Sequence, residues 1–205
     1  MTRRLAPSGR LFLPELSKIA ELAVGAAGLL RERLGSAIAR PEYVAALAAA
    51  AREADRLAAA VTTGAPHALV PPIDGDDATE LGSRLRAIVD EARRTNRLAD
   101  AIHPDLPDGT AARLADLLVQ AADSLEGAVA TMTDRSRALD FARDVRHLAR
   151  DGERAYGDAM GALLAAAPDP VGAVRQAEMY RALRGSLRLC ARAVAPVERI
   201  ALKRF

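Results

Sequence analysis

The spacing of the apolar residues limits the fold of this sequence more than any other feature, because they recur every three or four positions over long stretches. Over residues 76–102 they follow a 4-3-4-3-4-3 pattern, in which Thr95 is the weak member: Leu81, Leu85, Ile88, Ala92, Thr95, Ala99 and Ile102. Such spacing places one apolar stripe along a helix. No segment alternates apolar and polar residues as a β-strand does, so we predict an all-α protein.

Proline and glycine divide the chain into six helical segments. The first five predicted helices cover residues 14–34, 41–62, 76–102, 110–132 and 136–166, and the sixth runs from the Pro168-Asp169-Pro170 break to near the C-terminus. Within the sixth segment, Pro196 is expected to bend the helix. That segment also carries an apolar stripe of its own, made of Leu183, Leu187, Cys190, Val194, Val197 and Ala201. We expect one domain over residues 1–205.

Composition narrows the possible functions. Half of the residues are apolar but only 3% are aromatic, so the core must consist of Leu, Val and Ala. A net charge of +2 and few aromatic side chains for base stacking argue against nucleic-acid binding. No nucleophile stands beside a base and no glycine-rich phosphate loop occurs, so we predict that the protein is not an enzyme and has no cofactor.

Cellular location is predicted from cysteine usage and hydropathy. The single cysteine, Cys190, cannot form an intrachain disulfide and lies on an apolar stripe, where we expect core packing rather than nucleophilic chemistry. No stretch has the roughly 20 apolar residues that cross a bilayer, and we find no signal peptide. We expect a cytoplasmic protein, with peripheral attachment to the inner membrane as an open alternative.

A short charged block occurs twice. Residues 52–56 read Arg-Glu-Ala-Asp-Arg, and 98 positions later residues 150–154 read Arg-Asp-Gly-Glu-Arg. Each block precedes a loop containing Pro and Asp, and then a long helix. This shared order predicts two tandem three-helix repeats, at about residues 10–103 and 108–205.

This order of motifs resembles the PhoU-like proteins, and specifically the short branch that accompanies Pit-type inorganic phosphate transporters. Residues 73–77, Ile-Asp-Gly-Asp-Asp, are similar to that branch's Phe-Asp-Arg-Glu-Asp loop. The C-terminal matches to its typical residues are Asp169-Pro170, Glu178-Met179-Tyr180, Leu183, Cys190 and Glu198-x-Ile200-x-Leu202-Lys203. The resemblance implies a six-helix PhoU-like bundle that regulates a bacterial phosphate permease.

The resemblance also implies a metal site, for which this chain lacks most carboxylates. The family pairs acids four positions apart on its second and fifth helices, where both can bind one hard cation. Here the first member of each pair is alanine, at Ala51 and Ala149. The expected acids that remain are Asp55, Asp90 and Glu153. Arginine occupies other expected acidic positions, and it cannot ligate a cation, so we predict no metal site. We expect three ordinary surface or loop histidines: His67, His103 and His147.

Arginines form a row along the sixth helix, spaced by three, four and four positions: Arg181, Arg184, Arg188 and Arg192. They share one face, opposite the apolar stripe. A similar row on the third helix consists of Arg86, Asp90, Arg93 and Arg97. In one interpretation both rows are solvated faces. In another, arginine replaces the metal, and the remaining acids are neutralised by Arg86, Arg184 and Arg188.

In a second version of the interpretation that arginine replaces the metal, the arginines bind an anion directly. Because the planar guanidinium group donates two parallel hydrogen bonds, it suits phosphate, a polyphosphate or an acidic transporter loop. The candidate residues for binding this anion or partner are Arg86, Arg181, Arg184, Arg188 and Arg192.

We therefore predict a non-enzymatic accessory protein that regulates inorganic phosphate transport by acting on the cytoplasmic face of a Pit-type permease. The alternative is a helical interaction scaffold unrelated to transport, because Ala-rich heptads also suit a homo-oligomer. The predicted partners are the permease, phosphate or another anion, and a second copy of the chain.

Overall fold

The computed structural model describes residues 12–35, 41–64, 73–102, 109–166 and 169–203. These ranges form six helices and contain no strand: α1 (Leu13–Leu34), α2 (Pro41–Gly64), α3 (Gly75–Ile102), α4 (Gly109–Ala130), α5 (Arg135–Ala166) and α6 (Pro170–Leu202). The predicted all-α, six-helix fold is confirmed, and the boundaries predicted for the first five helices lie within two residues of the observed ones. No helix in the described ranges has the length and hydropathy needed to span a bilayer.

Local side-chain chemistry explains where α3 and α6 begin. The Asp169 carboxylate accepts hydrogen bonds from the backbone N–H groups of Val171 and Gly172, at 3.0 and 2.9 Å, and caps the N-terminus of α6. Pro170 follows as the first helical residue, where its missing N–H costs no hydrogen bond. At the start of α3, Asp74 accepts in the same way from the N–H of Asp76 at 3.0 Å.

The predicted apolar stripes of α3 and α6 lie in the core, together with apolar residues of the other four helices. All six stripe residues of α6 are buried, and so are six of the seven on α3, including Thr95; Ile102, at the end of α3, is partly buried. Cys190 is fully buried, and burial raises the pKa of its thiol to about 12, which confirms its place in the core. The α6 helix continues through Pro196, and the predicted bend there stays a prediction.

The helices pack as two groups of three. Helices α1, α2 and α3 contact one another, as do α4, α5 and α6, and the groups meet where α1 packs on α4 and α3 packs on α6. The helix with each charged block therefore lies beside the long helix that follows it, α2 beside α3 and α5 beside α6. The tandem repeat itself stays a prediction.

Candidate functional site

One group of charged side chains lies between α2 and α3; we call Asp55, Arg86, Asp90 and Arg93 the Arg86 cluster. Arg86 Nη1 donates to Asp55 Oδ1 on α2 and to Asp90 Oδ2 on α3, both at 2.9 Å. The other oxygen of Asp90 accepts from Arg93 Nη2 at 3.3 Å. Two guanidinium groups and two carboxylates thus neutralise one another.

A second group lies between α5 and α6; we call Glu153, Tyr156, Arg184 and Arg188 the Glu153 cluster. Glu153 Oε2 accepts from Arg184 Nε at 2.8 Å, and Glu153 Oε1 accepts from Arg188 Nε at 2.5 Å. The Arg184 guanidinium also stacks over the Tyr156 ring, 4.4 Å from its centroid. Here two positive groups share one carboxylate, so the cluster keeps a surplus positive charge.

The two clusters occupy corresponding positions in the sequence, 98 residues apart, and one member differs in the sign of its charge: Asp90 of the first cluster corresponds to Arg188 of the second. Asp55 precedes Arg86 by 31 residues, and Glu153 precedes Arg184 by the same 31. In the first cluster one arginine lies between two carboxylates, whereas in the second one glutamate lies between two arginines. The ion pairs that the metal-replacement interpretation expects are present, and the binding role of these arginines stays a prediction.

These ion pairs differ in how strongly solvent screens them. The side chains of Asp55 and Arg188 are about half exposed, at 55% and 52%, so each of their pairs is worth about 0–1 kcal/mol. Asp90 and Arg184 are more enclosed, at 13% and 23%. The stacking of Arg184 on Tyr156 adds about 0.5–1 kcal/mol where the ring remains partly solvated.

The side chains present do not fit the hard-cation site that the family resemblance implies. In the described ranges, no three His, Cys, Asp or Glu side chains are grouped so that they could hold a metal ion. Arg86 lies between Asp55 and Asp90, and a guanidinium group cannot ligate a cation. His147 Nδ1 lies 3.2 Å from Asp151 Oδ2, while His67 and His103 fall outside the described residues.

The five arginines proposed from the sequence as one binding set occupy four different environments. Arg86 is held between two carboxylates. Arg181 is exposed and bonds to Glu178 on its own helix. Arg184 and Arg188 share Glu153, and Arg192 is exposed with no ion pair among the described residues.

A third charged network, which was not predicted from the sequence, joins the start of α3 to the end of α6. The buried carboxylate of Asp77 accepts from Arg199 Nε and from Lys203 Nζ, both at 2.8 Å. Lys203 Nζ also donates to Asp74 at 3.2 Å, and Arg199 bonds to Glu80. Hydrogen bonds to Asp77 raise the pKa values of Arg199 and Lys203. The motif matches included Asp74, Asp77 and Lys203, but spacing could not indicate their pairing.

No protein-family model matches this chain, and no curated protein matches it in sequence. Among solved structures, it is similar to the crystal structure of a PhoU-like protein from Shewanella oneidensis MR-1. The two share 15% sequence identity with a TM-score of 0.77, over 99% of this chain and 100% of the other. At this identity the likeness establishes a PhoU-like fold.

Proposed function

We propose that this chain is a non-enzymatic accessory protein that regulates inorganic phosphate transport by acting on the cytoplasmic face of a Pit-type permease. Its support is the PhoU-like fold together with the resemblance of the C-terminal motifs to the Pit-associated branch. The observation that carries the proposal is the placement of the Asp55–Arg86 and Glu153–Arg184 pairs. They occupy the positions where the resemblance puts metal-binding carboxylates.

The ion pairs give a physical route by which such a surface keeps its shape without a metal. In each cluster a guanidinium group on the long helix neutralises a carboxylate on the preceding helix, across the same interface that a shared cation would join. The buried alanines Ala51 and Ala149 leave no uncompensated carboxylate there. The surface is therefore fixed by the chain itself and needs no ion for assembly.

The reactive side chains in the described ranges support a non-enzymatic role. Cys190 is buried, and its raised pKa keeps the thiol protonated at neutral pH. The only described histidine, His147, pairs with Asp151 on an exposed part of α5. Neither offers a nucleophile with an adjacent base.

The alternative is a self-associating scaffold, in which heptad stripes would join two copies of the chain. The stripes of α3 and α6 lie within the core of one copy. They are therefore unavailable for pairing between copies, and the regulatory proposal is favoured.

Capture of the permease tests the proposal. The immobilised chain is mixed with detergent extracts containing the Pit-type permease of the same organism, and we expect the permease to be retained. Reversing charge in both clusters with R86E and R184E should reduce retention by an order of magnitude or more, since like charges at a contact repel. R143E is the matched control, because Arg143 is an exposed α5 arginine paired with Asp140. Failure to retain the permease, or equal retention by all variants, would contradict the proposal.

A further inference from the structure

We propose that the Glu153 cluster, together with Arg192, binds a phosphoryl oxyanion. The group could be inorganic phosphate, the end of a polyphosphate, or the headgroup of an anionic lipid, since all three present the same terminal oxygens. The inference rests on side chains of this chain alone and stands whether or not a permease is the partner.

Arg184 and Arg188 have hydrogen-bond donors that the protein does not use. A guanidinium group has five N–H donors. Arg184 and Arg188 each direct only the Nε–H to Glu153, and within the described ranges their terminal Nη groups make no hydrogen bond to the protein. Arg184 and Arg188 therefore each keep four N–H donors for a ligand. Arg86 directs both N–H groups of Nη1 to carboxylates, Asp55 and Asp90, and it keeps three donors.

The proposed site also has a surplus of positive charge. Arg184, Arg188 and Arg192 follow one another at four-residue spacing on α6, so they share one helix face. Against these three positive charges the cluster has one negative group, Glu153, which leaves a surplus of two. A phosphate dianion would balance it. The Arg86 cluster has two positive and two negative groups and has no charge left for an anion.

Contacts within the protein hold Arg184 and Arg188 in place before any anion binds. Glu153 holds both guanidinium groups through their Nε atoms, and Tyr156 supports the plane of Arg184. An anion would therefore meet arginines that have already lost part of their rotamer freedom, which lowers the entropic cost of binding. Arg188 and Arg192 are exposed, so the site is open to solvent. A phosphoryl group has enough terminal oxygens to accept from both guanidinium forks at once.

Titration calorimetry of the purified chain at low ionic strength tests this inference, with inorganic phosphate and pyrophosphate as probes. We expect binding that weakens as salt is added, because exposed charges are screened. R188Q should weaken binding about tenfold or more by removing charge-assisted hydrogen bonds. R184K keeps the charge but loses the planar fork and the ring contact, and should weaken it comparably. R86Q is the matched control, at the corresponding arginine of the first cluster, and should leave affinity unchanged.

Cosedimentation with vesicles separates the two sources of the phosphoryl group. Vesicles of phosphatidylcholine alone are compared with vesicles that also contain phosphatidic acid. Binding of free phosphate or pyrophosphate identifies a soluble anion, whereas sedimentation only with phosphatidic acid identifies a lipid headgroup. Either result supports the inference if R188Q weakens the binding about tenfold or more. Absence of binding in both assays would overturn it, as would equal loss in R188Q and R86Q. Because neither assay contains a permease, failure here is distinct from failure of the proposed function.

Discussion

Gly152 on α5 packs so closely against Leu187 on α6 that a β-carbon at position 152 would overlap Leu187 Cδ1. Leu187 is 1% exposed, so any shift of its side chain must be accommodated within the packed core. We predict that G152A lowers the free energy of unfolding by about 1 kcal/mol. Overpacking costs about 1–3 kcal/mol, and this outweighs the roughly 1 kcal/mol that alanine gains over glycine in a helix. Urea denaturation of the two proteins measures the difference.

Two further variants isolate the steric cause. Gly157 lies on the same helix, and a β-carbon added there would have nothing within 4 Å, so G157A should stabilise the protein by up to about 1 kcal/mol. L187V removes a methylene near the overlap, so G152A should cost less in that background. The corresponding positions 98 residues earlier already combine Ala54 with Val89. If G152A and G157A had equal effects, the packing explanation would be wrong.

The two interhelical ion pairs should be weak but measurable. Double-mutant cycles with D55A and R86A, and with E153A and R184A, should give coupling free energies of about 0.5–1 kcal/mol from denaturation curves. The second value should be the larger, because Arg184 is less exposed than Arg86. Both should fall in 1 M salt, where the Debye length is about 3 Å. Coupling that is insensitive to salt would show that packing, not charge, joins these residues.

Metal removal should leave the protein unchanged. Because guanidinium groups already neutralise Asp55, Asp90 and Glu153, neither chelator nor added magnesium or iron should change the midpoint of thermal unfolding. Calorimetric scans before and after dialysis against EDTA provide the measurement. A midpoint that rises with metal concentration would indicate a bound ion and contradict the replacement of metal by arginine.

Cys190 should resist thiol reagents in the folded protein. Its side chain is fully buried, and burial raises the pKa of the thiol to about 12, so at pH 8 almost none is in the reactive thiolate form. Reaction with an aromatic disulfide reagent, followed by absorbance, should be slow in buffer and fast in denaturant. Fast labelling of the native protein would require α6 to open or the core assignment to be wrong.

The network around Asp77 should contribute stability that depends on alkaline pH. Hydrogen bonds to Asp77 and Asp74 raise the pKa of Lys203 above its ordinary value of 10.5. Its contribution should therefore be fully present below pH 10.5 and be lost as pH rises through the raised pKa. Denaturation of the wild type and K203M across this range should show a difference at pH 8 that shrinks at the alkaline end. A difference that stays constant would argue that the charge of Lys203 is irrelevant.

The fold could be predicted from the sequence because its signals are local. Breakers such as Pro170 and the cap Asp169 set the helix ends, and three-to-four spacing identified the buried faces of α3 and α6. One of the two interpretations of the arginine rows also expected Arg86, Arg184 and Arg188 to neutralise the remaining acids, because the arginines occupy positions where the resemblance expects carboxylates. Which arginine meets which acid was not predicted.

Other features could not be read from the sequence. The arginine row of α6 looked uniform, yet Arg181 bonds within its own helix while Arg184 and Arg188 share one glutamate. Lys203 and Asp77 are 126 residues apart, and no periodicity connects them.

The sequence by itself determined that this chain forms six helices and which faces of α3 and α6 are buried, because periodicity and chain breakers act over a few residues. Only the tertiary structure decided which charges meet and how many donors each arginine has left. A hydrogen bond between two helices forms only if the donor–acceptor distance is right to within a few tenths of an ångström. That distance is set by how the whole core packs.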